Sequence, residues 1–301
     1  VSPGGTSVLS APVVASLGDL ELAARLVVEG MRSGGHRSLQ RGIGTEFLKH
    51  RPYRPGDSLR YLDWKLLART DRLYTRQFRE TTNLALLLVV DTSASMGFPE
   101  PDGGEPGPTR LRYAAILAAA LAWIASTRGD AVGLLTRVGG KVLQLPPRSG
   151  RVQLRRVIAC LDGLEPEGAW APVQAIEHAA STLKRRGVVV VISDFYDDEE
   201  ALGGALRRVA RRGHDVSMIQ LTSSPEMDFP DRGEFEFQDA ESGRRVVSNV
   251  GLSGETVRNR IQAFHEALRE RALRDGIDHV CISTSEAPGP ALRRHLLGRG
   301  R

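Results

Sequence analysis

Asp91-Thr92-Ser93-Ala94-Ser95 sets one carboxylate and two hydroxyls at alternate positions, directly after the unbroken apolar run Leu84 to Val90. Three oxygen donors from one tight turn suit a hard cation such as Mg²⁺. A second carboxylate, Asp194, holds the matching place after Val188 to Ile192, within Ser193-Asp194-Phe195. In open α/β sheets ligands gather beyond the carboxyl ends of the strands, where two such aspartates can share one ion, directly or through water. The bland alternative is that Asp91, Ser93 and Ser95 only satisfy backbone groups in the turn. The placement of both aspartates after buried strands favours a metal-type site.

The carboxylate pair also opens an enzymatic alternative, a Mg²⁺-dependent hydrolase or phosphatase using Asp91 and Asp194. No general base or phosphate loop accompanies them: Gly42-Ile-Gly44 lacks the Lys and Ser/Thr of such a loop. The histidines show no HExxH spacing, lone ones such as His178 and His214 read as solvated or core residues, and no Ser-centred nucleophile elbow occurs. The favoured reading is a binding module and not an enzyme.

The elements that must position these residues alternate. Leu84 to Val90 reads as a central strand buried on both faces. Thr109 to Thr127 follows as a helix, apolar nearly all round and so packed against the sheet. Strands are expected over Ala131 to Thr136, Lys141 to Leu145 at an edge, Val188 to Ile192, Val216 to Leu221 and His279 to Ser283. Helices are expected over Arg151 to Leu161, Val173 to Arg186, Glu199 to Arg212, Gly254 to Asp275 and Pro290 to Leu297. This is a doubly wound, mostly parallel α/β domain over residues 84–301. A polar hairpin of Glu234 to Gln238 and Arg244 to Val247 interrupts it, an insertion over about 233–250. Pro99 to Pro108 reads as a Gly/Pro-rich loop.

Residues 17–83 differ: a helix over Leu17 to Arg32, basic turn-rich sequence, and a strand-like Leu73 to Phe78, together an extension packed on the α/β domain. Residues 1–16 read as a flexible lead-in without the basic start of a secretory signal. With 41% hydrophobic residues the chain can bury a core without staples. Cys160 and Cys281 are expected to be buried thiols in a reducing compartment, which makes the location cytoplasmic. The longest apolar run, Ala114 to Ala125, is too short to span a bilayer. The net charge of +5 arises between Arg32 and Glu80, where 12 Lys and Arg face 5 Asp and Glu. There Arg51, Arg54 and Arg60 either pair with Glu46, Asp57 and Asp63, or form an exposed surface for an acidic partner or nucleic acid. Nucleic acid is the less favoured partner, because Tyr61 and Trp64 read as packing residues and not as stacking platforms.

Asp91-Thr-Ser-Ala-Ser-Met-Gly97 resembles the DxSxS motif of von Willebrand factor A domains, and Ser193-Asp194 resembles their later strand-end aspartate. The resemblance implies that Asp91, Ser93 and Ser95 hold a Mg²⁺ ion, with Asp194 in an outer role and a partner carboxylate completing the shell. It also implies a loop threonine, whereas this chain has Gly168-Ala169-Trp170-Ala171-Pro172, so the expected site is incomplete. Arg41 to Phe47, His50 to Arg60, Tyr61 to Lys65 and Ala68 to Thr70 together resemble the bacterial "domain of unknown function 58" family, a likeness reaching from Leu17 to Ser283. Members are typically encoded beside MoxR-type AAA+ ATPases. The resemblance implies an adaptor or co-chaperone linking such an ATPase to client proteins, here in a form without membrane helices. Its implied partner-binding residues are Arg51, Arg54, Asp57, Arg60, Asp63 and Trp64.

Overall fold

The computed structural model describes residues 10–15, 17–33, 46–54, 62–79, 84–102, 105–170, 173–196, 199–227, 235–238, 245–248 and 254–298. Helices Ala11–Ala15 (α1) and Leu20–Ser33 (α2) precede an antiparallel pair, Glu46–Pro52 (β1) with Tyr74–Arg79 (β2), and the helix Trp64–Thr70 (α3). The α/β part then runs Ala85–Val90 (β3), Pro99–Asp102 (β4), Glu105–Thr109 (β5), Arg110–Thr127 (α4), Ala131–Val138 (β6), Lys141–Arg148 (β7), Arg151–Asp162 (α5) and Val173–Ser181 (α6). It continues through Val188–Ser193 (β8), Glu199–Arg211 (α7), Asp215–Thr222 (β9), Ser224–Met227 (α8), the hairpin Phe235–Gln238 (β10) with Arg245–Ser248 (β11), Gly254–Arg274 (α9), Asp278–Ser283 (β12) and Pro288–Gly298 (α10).

Six strands make the central sheet in the order β12-β9-β8-β3-β6-β7, parallel throughout except for the edge strand β7. The doubly wound α/β architecture expected from the alternation is present. Because side chains alternate along a strand, β3 feeds two cores. Leu86, Leu88 and Val90 meet α4, α5 and α10, while Leu87 and Val89 meet α6, α7 and α9. Chain order reverses at β3: β6 lies on one side and β8 on the other. The carboxyl ends of β3 and β8 therefore flank the switch point at which open sheets form a crevice.

Helix α4 is apolar all round because it is covered twice. The sheet takes one face, and Ala23, Ala24 and Val27 of α2 join the same core from outside, with the Arg25 guanidinium 5.6 Å from the Trp123 ring. Helix α2 is thus a third layer on the α/β part. Residues 11–15, expected to be flexible, form α1 with Val14 buried.

Other expectations are corrected. Cys160 is half-buried and Cys281 exposed; β12 is an edge strand, so a thiol there lacks a neighbouring strand on one side. Pro99 to Pro108 includes a paired hairpin, β4 with β5. Helix α6 stops at Ser181 instead of Arg186, where Thr182 and Leu183 turn back onto the Ala179 and Ala180 carbonyls. Trp64, expected to pack, is 62% exposed as the first residue of α3. Among the described residues no helix is long and apolar enough to cross a membrane.

Candidate functional site

The parallel register sets the site. Val90 pairs with Ile192, so both strands end at one level and the Asp91 amide donates to the Ile192 carbonyl at 3.0 Å. The next residue of each strand, Asp91 and Ser193, meets the other: Ser193 Oγ donates to Asp91 Oδ2 at 2.5 Å. Asp91 Oδ1 accepts the Ser93 amide at 2.7 Å, and Ser93 Oγ lies 3.0 Å from Ser95 Oγ. Ser95 in turn hydrogen-bonds Asp194. The four residues singled out by spacing, Asp91, Ser93, Ser95 and Asp194, are therefore brought into one connected cluster.

A clamp fixes the loop that carries them. The Ala94 amide donates to the Gly168 carbonyl, and the Glu167 amide to the Thr92 carbonyl, both at 2.8 Å. Gly168 has φ +53°, a left-handed conformation that favours glycine. Gly97 lies against Pro166, whose Cγ would be 2.9 Å from an added Cβ. After Asp194 the backbone turns through Phe195, a buried aromatic held at φ +61° with its amide bonded to Ser193 Oγ at 2.9 Å. A non-glycine residue in that region costs on the order of 1 kcal/mol and persists only where surrounding contacts enforce it, often at functional positions.

The cation of the site was not found by sequence. Arg110, the first residue of α4 and 2% exposed, reaches from behind the motif loop. Its Nη1 donates to Asp194 Oδ2 at 3.0 Å and lies 3.5 Å from the Ser95 carbonyl, while Nη2 donates to Ser223 Oγ at 3.0 Å and pairs with Glu226. The guanidinium stands 5.3 Å from the Phe98 ring centre and 5.9 Å from that of Tyr196, within cation–π reach. Those rings also form the outer rim, since Phe98, Tyr196 and Met227 are 44%, 41% and 43% exposed. A buried polar core thus sits under an apolar, solvent-facing collar.

Burial dominates the electrostatics. It pushes the Asp91 carboxyl up to about 7, opposed by the Ser193 hydrogen bond and assisted by the charge of Asp194. Asp194 is also raised by burial, against the pull of the Arg110 charge and the Ser95 hydrogen bond.

One feature runs against a complete ion shell. Where the resemblance expects a hydroxyl, Ala169 is exposed with its carbonyl taken by Arg137 Nη1 at 2.5 Å, and Trp170 is buried. Among the described residues no group of three or more His, Cys, Asp and Glu side chains is placed to hold a metal.

The residues proposed in the basic segment lie on other elements. Arg51 is in β1, Arg54 follows it, and Trp64 begins α3. Asp63 caps α3 through the Leu66 amide at 3.0 Å and pairs with His50 at 2.8 Å, a partner not anticipated for it. Asp57 and Arg60 lie outside the described residues. A cleft of about 610 Å³ lies at the amino ends of β9 and β12, and one of about 390 Å³ lies between α7 and α9; both are lined by Arg207, Arg274 and Asp275, and neither includes a residue of the motif.

Residues 49–271 match the family model described as "Protein of unknown function DUF58". Over 235 residues the chain is 34% identical to uncharacterized proteins of Mycobacterium bovis and Mycobacterium tuberculosis, covering 77% of this chain and 72% of those proteins. Among solved structures it is similar to the conserved hypothetical protein BatB of Bacteroides thetaiotaomicron, with a TM-score of 0.49 and 19% identity over 71% of this chain and 98% of that one. It is also similar to the SpRpn10 VWA domain, with a TM-score of 0.42 and 13% identity over 72% and 98%. The family match spans most of the chain, including the basic segment from Lys49 onward and both strand-end aspartates, and the protein belongs to the DUF58 family.

Proposed function

We propose that this protein is a non-enzymatic interaction module that docks a partner on the sheet end bearing Asp91 and Asp194, a degenerate form of a metal-ion-dependent adhesion site. The partner is a MoxR-type AAA+ ATPase, for which the protein serves as adaptor to client proteins. One observation carries the docking face: Phe98 and Tyr196 are exposed and lie against the buried Arg110, which pairs with Asp194 and Glu226, and Met227 is exposed next to Glu226 in the chain. Large apolar side chains around a desolvated polar centre are the composition of binding hot spots. The partner class rests on the family resemblance of the basic segment, whose exposed Trp64 and Arg54 offer a second contact region.

A hydrolytic role for Asp91 and Asp194 is less well supported. Each residue is 2% exposed, and its carboxylate already accepts hydrogen bonds from the chain.

The test is the affinity of the purified chain for the purified ATPase, with Phe98→Asp and Tyr196→Asp beside Val152→Asp, an exposed apolar residue on α5. Each collar variant is expected to weaken binding tenfold or more, about 1.4 kcal/mol, and Val152→Asp to leave it unchanged. Equal affinity across all four proteins, each with an unaltered circular dichroism spectrum, would remove this face from the account.

A further inference from the structure

We infer that the Arg110 guanidinium supplies at Asp194 the positive charge that a divalent cation would bring, so that this sheet end works without a metal. The location of the site is the one described above, but the inference concerns the free chain and does not depend on what docks there.

One guanidinium joins the motif loop through the Ser95 carbonyl and the end of β8 through Asp194, two segments that an ion at this sheet end would join, and ties both to the turn after β9 through Ser223 and Glu226. Its planar fork of donors bonds several oxygens at once, which an ammonium on a flexible stem does less well.

Arg110 is 2% exposed, and the Phe98 and Tyr196 rings lie within cation–π distance of it. A divalent ion bound by the same cluster would face this buried guanidinium across a desolvated interior, where like charges repel far more strongly than in water. The carboxylate attraction that would draw the ion in is already shared with Arg110.

Arg110 also sits where a helix disfavours a cation. A helix N-terminus favours anions, yet α4 has no acidic residue in its first turn and begins Arg110-Leu-Arg112. Arg112 turns away to Asp162 and the Leu17 carbonyl. Arg110 turns inward, and the paired carboxylates offset its unfavourable position. The missing loop hydroxyl at Ala169 and Trp170 fits the same picture, because Mg²⁺ tolerates incomplete octahedral geometry poorly whereas a guanidinium needs no sixth ligand.

The probe is Mn²⁺ on the full chain, read by water-proton relaxation. The wild type is expected to show no saturable binding at millimolar Mn²⁺, and the same melting temperature in Mg²⁺ as in EDTA. Alongside it, Arg110→Met is measured in the wild-type and Asp194→Asn backgrounds. The drop in melting temperature is expected to be large in the first and less than half as large in the second, where the carboxylate left unpaired has been neutralised. One equivalent of Mn²⁺ bound by the wild type and lost in Asp91→Asn overturns the inference, as does a drop of equal size in both backgrounds. Should Arg110→Met not fold, Arg110→Lys replaces it in the same cycle. Bound Mn²⁺ would leave the docking face intact, and loss of docking in the collar variants would leave the metal-free site intact.

Discussion

Asp91→Asn should make the protein more stable at neutral and alkaline pH. Burial raises the folded-state carboxyl from 3.8 to about 7. A carboxyl raised on folding contributes stability that is fully present below its unfolded value and is lost as pH climbs toward its folded value, with no further change above. At roughly 1.4 kcal/mol per unit, the whole window is on the order of 4 kcal/mol, of which about 2–3 kcal/mol falls between pH 5 and pH 8. Asparagine mimics the protonated form: Oδ1 can still accept the Ser93 amide, and Nδ2 can donate to Ser193 Oγ. The charged neighbours of the site, Asp194, Arg110 and Glu226, are the same in both proteins. Urea unfolding of wild type and variant at pH 5, 6, 7 and 8 reads the difference directly. The variant should gain on the wild type as pH rises through 7 and hold the gain at 8. A difference that stays flat over this range, or one that grows toward acid pH, would refute the reasoning that Asp91 is held protonated by burial.

Gly187→Ala should lose about 1–3 kcal/mol in chemical denaturation, because an added Cβ would lie 2.7 Å from the Ala85 carbonyl oxygen at the start of β8. Gly30→Ala should instead gain about 0.5–1 kcal/mol, since the position is helical, meets nothing within 4 Å and loses only the glycine's backbone entropy cost. Tyr113→Phe should cost about 0.5–1.5 kcal/mol, because the buried hydroxyl donates to the Glu286 carbonyl at 2.8 Å and the variant loses that bond. A neutral result in the same unfolding assay would show that this carbonyl finds another partner.

What was legible in the sequence was whatever a strong local signal encoded. β3 and β8 are uninterrupted apolar runs, and α4 is a long apolar helix capped by Thr109, whose Oγ1 accepts the Arg112 amide at 3.1 Å. The Asp91 cluster was legible because its members follow those strands directly. The strand β1 was not: Glu46–Pro52 carries a Pro and alternates poorly, and among the described residues it pairs with β2 alone. The β4–β5 hairpin joins segments rich in proline, a residue that removes ladder donors. Arg110 escaped notice because its three carboxylate and hydroxyl partners, Asp194, Ser223 and Glu226, lie 84 or more residues away. One signal was available, a basic pair opening a helix whose dipole repels it.

The fold explains why the candidate docking face lies where it does. The sheet order reverses at β3, so the helices leaving β3 and β8 diverge to opposite faces and leave the strand ends open between them. Arg110 and its carboxylates fill the base of that opening, and Phe98, Tyr196 and Met227 ring it. The most direct test of the account is amide hydrogen exchange on the chain alone and in complex with the purified MoxR-type ATPase. The account expects new protection at residues 94–98, 194–196 and 224–227. Protection confined to β1, α3 and β2, with those three segments unchanged, would contradict it.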